Sequence, residues 1–297
     1  MRHLFFFAVL CIVPFPISLS LAATGEVGKP QTVHFTSADA ERTPISGLLL
    51  KPKGERPYSA VIMLHGCSGM LTKSGKLKKR PTFWSRWLAA HGYLVLMADS
   101  FTPRGHNSIC RIKNRPVKPD RERPYDAYGA LQYLQARFDV RPDRIFLMGW
   151  SNGAMTLLWT LKADAPARPK SLSHDFRAAI AFYPGCIAIS RTNYREKIPL
   201  LLQVGEADDW TPAKPCLQFM EAANKKGSAM RADVYPGAYH NFDHPTSKFK
   251  AITTRNSVYK SGQKVVHVGS NPQARAAAIA NVAAFLDSFA EAAKPNR

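Results

Sequence analysis

An α/β protein, with a mostly parallel central sheet flanked by helices, is what the sequence predicts. Two observations carry that expectation. Five short apolar runs, SAVIMLHG (59–66), YLVLMADS (93–100), RIFLMG (144–149), AAIAFYPG (178–185) and IPLLLQVG (198–205), lack the polar alternation of a half-exposed strand and read as strands covered on both faces. Segments with helical spacing lie between them, and such alternation demands parallel pairing with right-handed crossovers.

The elements follow in chain order. Met1, Arg2 and His3 precede the apolar run LFFFAVLCIVPFPISLSLAA, and Ser20, Leu21 and Ala22 offer the small residues a signal peptidase needs. Residues 1–22 are therefore expected to be a signal peptide cleaved after Ala22 or Ala23, placing the mature protein in the periplasm or outside the cell. Pro14 and Pro16 interrupt the run and argue against a retained anchor. A single domain is expected over 30–292, because about 270 residues suit one large core better than two.

QTVHFTS (31–37) and ISGLLLKP (45–52) read as antiparallel edge strands. After the first buried strand, PTFWSRWLAAHG (81–92) has a helix pattern closed by a glycine. The proline-containing, basic stretch 102–124 is expected to be a long loop or lid. Helices are predicted over 125–137, 152–163 and 213–226, and a strand over RADVYPG (231–237). The polar segment 243–270 reads as loop, and ARAAAIANVAAFLDSFAEAA (274–293) as the final helix.

Composition narrows the partners. The 41 Lys and Arg against 21 Asp and Glu give a formal charge of +20, which would favour polyanions. The dense blocks, KSGKLKKRP (73–81) and RIKNRPVKPDRERP (111–124), are not interleaved with aromatic stacking platforms, so specific nucleic-acid binding is not expected. No second apolar run is long enough to span a membrane. Past the leader, Cys67, Cys110, Cys186 and Cys216 remain, an even number that permits two disulfides in three pairings which spacing does not distinguish. Pairing Cys67 with Cys110, after the neighbouring strand, and Cys186 with Cys216 is the working expectation. No spacing resembles a metal knuckle, and neither a metal nor an organic cofactor is expected.

Ligands gather where the strands of such sheets end. Ser151 lies in GWSNG (149–153), between a buried strand and a helix, where two glycines allow a tight turn that leaves the hydroxyl projecting. A serine nucleophile needs a base oriented by an acid. Asp208, in VGEADDWTP, and His240, in YPGAYHNF, follow later strands and are the expected acid and base, with Asp209 and His244 as their nearest rivals. His65 and His91 fit less well. Main-chain N–H groups of Cys67, in LHGCSG, and of Asn152, next to the serine, are expected to hold a developing oxyanion. Arg104, Trp150 and Tyr239 are expected to contact substrate.

Together LHGCSG, YLVLMADSFTPRG, DAYGALQYL, GWSNGA, VGEADDWTPA and YPGAYHNFD resemble the dienelactone hydrolase family of α/β-hydrolases over about residues 40–290. That resemblance implies the α/β-hydrolase fold and gives Ser151, Asp208 and His240 triad roles. Departures are also visible. The family's namesakes have a cysteine nucleophile where Ser151 stands, a glutamate in the oxyanion loop where this chain has His65-Gly66, and an arginine where His244 stands. Arg104 corresponds to a second carboxylate-binding arginine of the family. The expected activity is hydrolysis of a small carboxylic ester, anionic or polar, through an acyl-enzyme. An exported serine peptidase and a noncatalytic envelope protein holding polyanions are the alternative readings.

Overall fold

The computed structural model describes residues 27–196, 198–254 and 264–290; the expected signal peptide and residues 291–293 of the final helix lie outside them. Eight strands form the main sheet: β1 (Gln31–Thr36), β2 (Pro44–Leu50), β3 (Tyr58–Leu64), β4 (Leu94–Asp99), β5 (Val140–Trp150), β6 (Ala179–Phe182), β7 (Leu200–Gly205) and β8 (Met230–Tyr235). Their order is β1-β2-β4-β3-β5-β6-β7-β8. The β1/β2 and β2/β4 pairings are antiparallel and all later ones are parallel. This is the α/β-hydrolase architecture. It puts the carboxyl ends of β3, β5, β7 and β8 along one rim.

The unbroken apolar runs are explained by two cores. In β3, Ala60, Ile62 and Leu64 face one layer while Val61 and Met63 face the other; in β4, Leu94, Leu96 and Ala98 oppose Val95 and Met97. One layer is closed by α2 (Glu122–Gln135), α3 (Asn152–Leu161), α4 (Ile187–Ser190) and α5 (Ala213–Asn224). The other is closed by α1 (Lys79–Ala90) and α6 (Pro272–Asp287). Alternation in side-chain direction with no alternation in polarity is the mark of a strand buried on both faces.

Two expectations need correction. The stretch 102–124 is not loop throughout: α2 begins at Glu122, with Arg123 and Pro124 buried in its first turn. Proline is tolerated there because that N–H has no intrahelical acceptor. The segment 243–270 is not simply loop either, since β9 (Lys250–Thr254) and β10 (Lys264–Val268) form an antiparallel ribbon. Val266 and Val268 are buried, and Val268 bridges His240. Strands this short, in a two-stranded ribbon apart from the main sheet, leave little periodic trace. No helix among the described residues is long and apolar enough to cross a membrane.

Candidate active site

β5 ends at Trp150 and α3 starts at Asn152, so Ser151 alone makes the corner, at φ 50° and ψ −114°. Such a backbone costs a non-glycine residue about 1–3 kcal/mol and persists only where the surroundings enforce it. The flanking glycines let strand and helix backbones close in around it. A Cβ on Gly149 would lie 2.5 Å from the Gly153 carbonyl oxygen, and one on Gly153 would lie 2.1 Å from that of Leu64. The Ser151 N–H is held by the Phe182 carbonyl at 2.9 Å. The result is a hydroxyl lifted clear of the sheet.

His240 meets it. Its Nε2 lies 3.1 Å from Ser151 Oγ and its Nδ1 2.8 Å from Asp208 Oδ2. Asp208 is buried and turned by its own neighbours, because Oδ1 accepts the N–H groups of Trp210 at 2.9 Å and Thr211 at 2.8 Å. That leaves Oδ2 for the imidazole. With Nδ1–H donated to the carboxylate, Nε2 becomes the acceptor facing the serine. Asp209 points outward instead, accepting from the His267 N–H at 2.8 Å and pairing with its Nδ1 at 2.7 Å. Packing chose between the adjacent aspartates.

Cys67 lines the same cavity as Ser151, and Asn152 follows the serine in the chain. Cys67 is joined to Cys110, and Cys186 to Cys216, the expected pairing. The first bond ties the loop after β3 to the segment after β4, and the Ile109 N–H donates to the Cys67 carbonyl at 2.8 Å. Asn152 is the first residue of α3, so its N–H has no carbonyl a turn earlier within the helix and is open to an anion.

A cavity of about 350 Å³ opens over Ser151 and His240. Trp150 is among its lining residues, almost wholly buried, with its indole N–H given to Asp243. Tyr239 is not; its ring packs on Phe249 and His267 at 5.1 and 5.6 Å. Arg104 is also elsewhere. Its guanidinium donates to both oxygens of buried Asp126, at 2.8 and 2.9 Å, and to the Ser100 carbonyl at 2.8 Å. A buried carboxylate on α2 outcompeted solvent for it. The cations that do line the cavity are Lys78, Arg80, Arg111 and Lys250, with no Asp or Glu among the described lining residues.

Both cavity histidines other than His240 are neutral at ordinary pH. Burial, with the Arg123 charge second, lowers His65 to about 3. Its Nδ1 donates to the Gly66 carbonyl at 2.9 Å and its Nε2 accepts the Ser100 N–H at 3.3 Å, so its 3.7 Å approach to Asp99 is not an ion pair. Burial and the neighbouring Arg80 lower His244 to about 4.

Several site residues were not anticipated from sequence. The Thr211 hydroxyl lies 3.0 Å from Asp208 Oδ2, from His240 Nδ1 and from the Tyr183 carbonyl oxygen. Asp243, wholly buried, accepts from the indoles of Trp84 and Trp150 at 2.8 Å each and from the Tyr183 hydroxyl at 2.5 Å. Arg123, also wholly buried, donates to Asn152 and to the His65 carbonyl. Most of these contacts span 28 to 159 residues of chain; only Asp208 and Thr211, three residues apart, lie close enough in sequence to hint at theirs.

Comparison with known proteins agrees with this fold. The profile of the dienelactone hydrolase family matches residues 45–290. The chain is 24% identical over 185 residues to a Bradyrhizobium protein named "Probable 2-oxo-3-(5-oxofuran-2-ylidene)propanoate lactonase", covering 57% of this chain and 71% of that one. A thermophilic esterase of Thermogutta terrifontis, solved with propionate bound, superposes with a TM-score of 0.59 at 17% identity, over 93% of this chain and 98% of its own. The same esterase has been solved phosphorylated by paraoxon, with a TM-score of 0.58 at 18% identity over 92% and 99% of the two chains. A dienelactone hydrolase-like promiscuous phosphotriesterase from metagenomic libraries gives a TM-score of 0.59 at 16% identity over 88% and 99%. With its sheet order, its serine corner and a family match across most of its length, this chain belongs to the dienelactone hydrolase family.

Proposed function

We propose that the chain is a serine-nucleophile member of its family and hydrolyses small carboxylic esters through an acyl-enzyme. The observation that carries this reading is the continuous contact from Ser151 Oγ through His240 to Asp208, set on a strained corner at the mouth of a cavity. In the reaction, His240 Nε2 takes the Ser151 proton as Oγ attacks the ester carbonyl, and Asp208 steadies the imidazolium. The N–H groups of Cys67 and Asn152 receive the oxyanion, His240 returns its proton to the leaving alcohol, and water repeats the sequence to free the acid. The chemistry draws on side chains, main chain and water alone. A cysteine nucleophile finds no support, because Cys67, Cys110, Cys186 and Cys216 are all in disulfides.

The substrate is a small molecule carrying negative charge. A cavity of about 350 Å³ suits one, and a lining with Lys78, Arg80, Arg111 and Lys250 but no described acid favours an anionic ester. One relative is consistent with that class: the Bradyrhizobium protein is named for a lactone bearing a propanoate. The protein is exported as a single domain, a reading supported by the leader of residues 1–22 and by two disulfides.

A fluorophosphonate probe tests the mechanism. Wild-type protein labels stoichiometrically and Ser151→Ala does not; equal labelling of both, or none of the folded wild type, refutes the assignment. Mass analysis of periplasmic protein, expected to begin at residue 23 or 24, tests the export.

A further inference from the structure

Arg123 is out of place by ordinary rules. It is completely buried, yet it forms no ion pair among the described residues. Asp126, three residues on, gives both oxygens to Arg104, and Asp99 Oδ1 accepts the N–H groups of Phe101 and Thr102 at 3.0 Å each. The nearby carboxylates act on Arg123 only through space. Burial lowers it to about 9, against the pull of Asp126 and Asp99, so it remains a cation at neutral pH. Burying a cation against neutral oxygens is expensive, and apolar packing in this first turn of α2 would cost less. What the guanidinium holds is the reason to look further.

Its two hydrogen bonds reach two separate parts of the chain. Nη1 donates to the Asn152 side-chain oxygen at 2.6 Å, and Nη2 donates to the His65 carbonyl at 2.9 Å. Asn152 opens α3 immediately after Ser151, and His65 opens the loop that leads through Gly66 to Cys67. These are the two segments whose main-chain N–H groups the proposed mechanism assigns to the oxyanion. The Phe101 ring, 5.1 Å from the guanidinium carbon, supports it from one side. Arg123 Nε and Asn152 Nδ2 are both buried without an acceptor. The shell behind Ser151 therefore holds more donors than acceptors, an arrangement that favours arrival of negative charge.

We propose that Arg123 is the positioning residue of the oxyanion site, locking the loop after β3 to the head of α3 while holding a fixed positive charge behind both N–H donors. This rests on the ester-hydrolase reading. A guanidinium is suited to the task because its planar fork bonds two acceptors in set directions. Its charge is already oriented when the tetrahedral intermediate forms, so no dipole needs to move.

The test compares wild type with Arg123→Met, Arg123→Lys, Asn152→Ala and the Arg123→Met/Asn152→Ala pair on p-nitrophenyl butyrate, measuring kcat, KM, thermal midpoint and inhibition by an alkyl boronic acid. Arg123→Met should lower kcat about 10- to 100-fold with KM changed less than about threefold, and boronate affinity should fall in proportion to kcat/KM. Arg123→Lys, keeping charge but one direction of bonding, should recover part of the loss. Asn152→Ala keeps its N–H but loses its side-chain oxygen, so it should lower kcat, and the pair should be less harmful than the product of the singles. Unchanged kcat and boronate affinity in a folded Arg123→Met refutes the proposal. So does a loss that appears only as a lower thermal midpoint, or, if that variant does not fold, full activity in both Arg123→Lys and Asn152→Ala. A wild type without esterase activity refutes the functional reading instead.

Discussion

Asp208 and Asp209 are chain neighbours, each paired with a histidine at nearly the same distance, 2.8 and 2.7 Å. The first pair is enclosed, with side chains 1% and 4% exposed; the second is open, at 40% and 37%. Asp208 belongs to the floor of the site, where strand ends and buried turns fix its orientation. Asp209 belongs to the rim, where it anchors the β9–β10 ribbon through His267. An exposed contact of this kind is worth roughly 0–1 kcal/mol, whereas an enclosed hydrogen bond is decisive for whatever it orients. Floor residues should control chemistry, and rim residues should control binding and selectivity.

The largest effect expected is at the floor. Asp208→Asn should lower kcat by about 10³- to 10⁴-fold, because the amide no longer holds the tautomer that leaves Nε2 free, while KM moves little. Steady-state kinetics on a neutral ester settle it. A similar loss in Asp209→Asn would collapse the comparison.

Acid should lower stability through the two other histidines of the cavity. His65 is held near 3 and His244 near 4, below the ordinary 6.5, so between those values and 6.5 the unfolded chain binds more protons than the folded one. Their contribution is complete above pH 6.5 and is lost as pH falls through that window. Thermal midpoints should drop progressively below pH 6.5, and His244→Gln should flatten the decline; an unaltered pH dependence in that variant excludes the residue as a cause.

At the cavity wall the effect should be selective. Arg80 has a buried Nε without an acceptor and stands 3.5 Å from Asp243, whose oxygens are already taken by two indoles and a phenol. Arg80→Gln should lower kcat/KM about tenfold for a carboxylated p-nitrophenyl ester, and less than about threefold for a neutral one. Equal losses would remove Arg80 from substrate recognition. The smallest effect is expected of Asp209→Asn, with kcat within about threefold of wild type and KM raised no more than about threefold, since an exposed pair can be replaced by solvent.

Much of the fold was legible because buried parallel strands leave unbroken apolar runs, and those runs ended at the residues that matter. Ser151 stood between two glycines, with Asp208 and His240 beyond later strands in the expected order. Where the signal was local, reading succeeded. The start of α2 was missed because Pro124 looks like a helix breaker when its position in the first turn is unknown. The β9–β10 ribbon was missed because five-residue strands outside the main sheet carry too little periodicity.

Sequence by itself determined the architecture, the serine corner and the identity of the groups able to form a relay, since backbone sterics and side-chain burial act over a few neighbouring residues. Tertiary structure alone decided which aspartate faces His240, that Arg104 serves Asp126 and Tyr239 the ribbon, and that Arg123 joins His65 to Asn152 across 58 and 29 residues of chain. Those outcomes depend on competition among charges and hydrogen-bond acceptors brought together by folding. A chain read in order contains the competitors but not their distances.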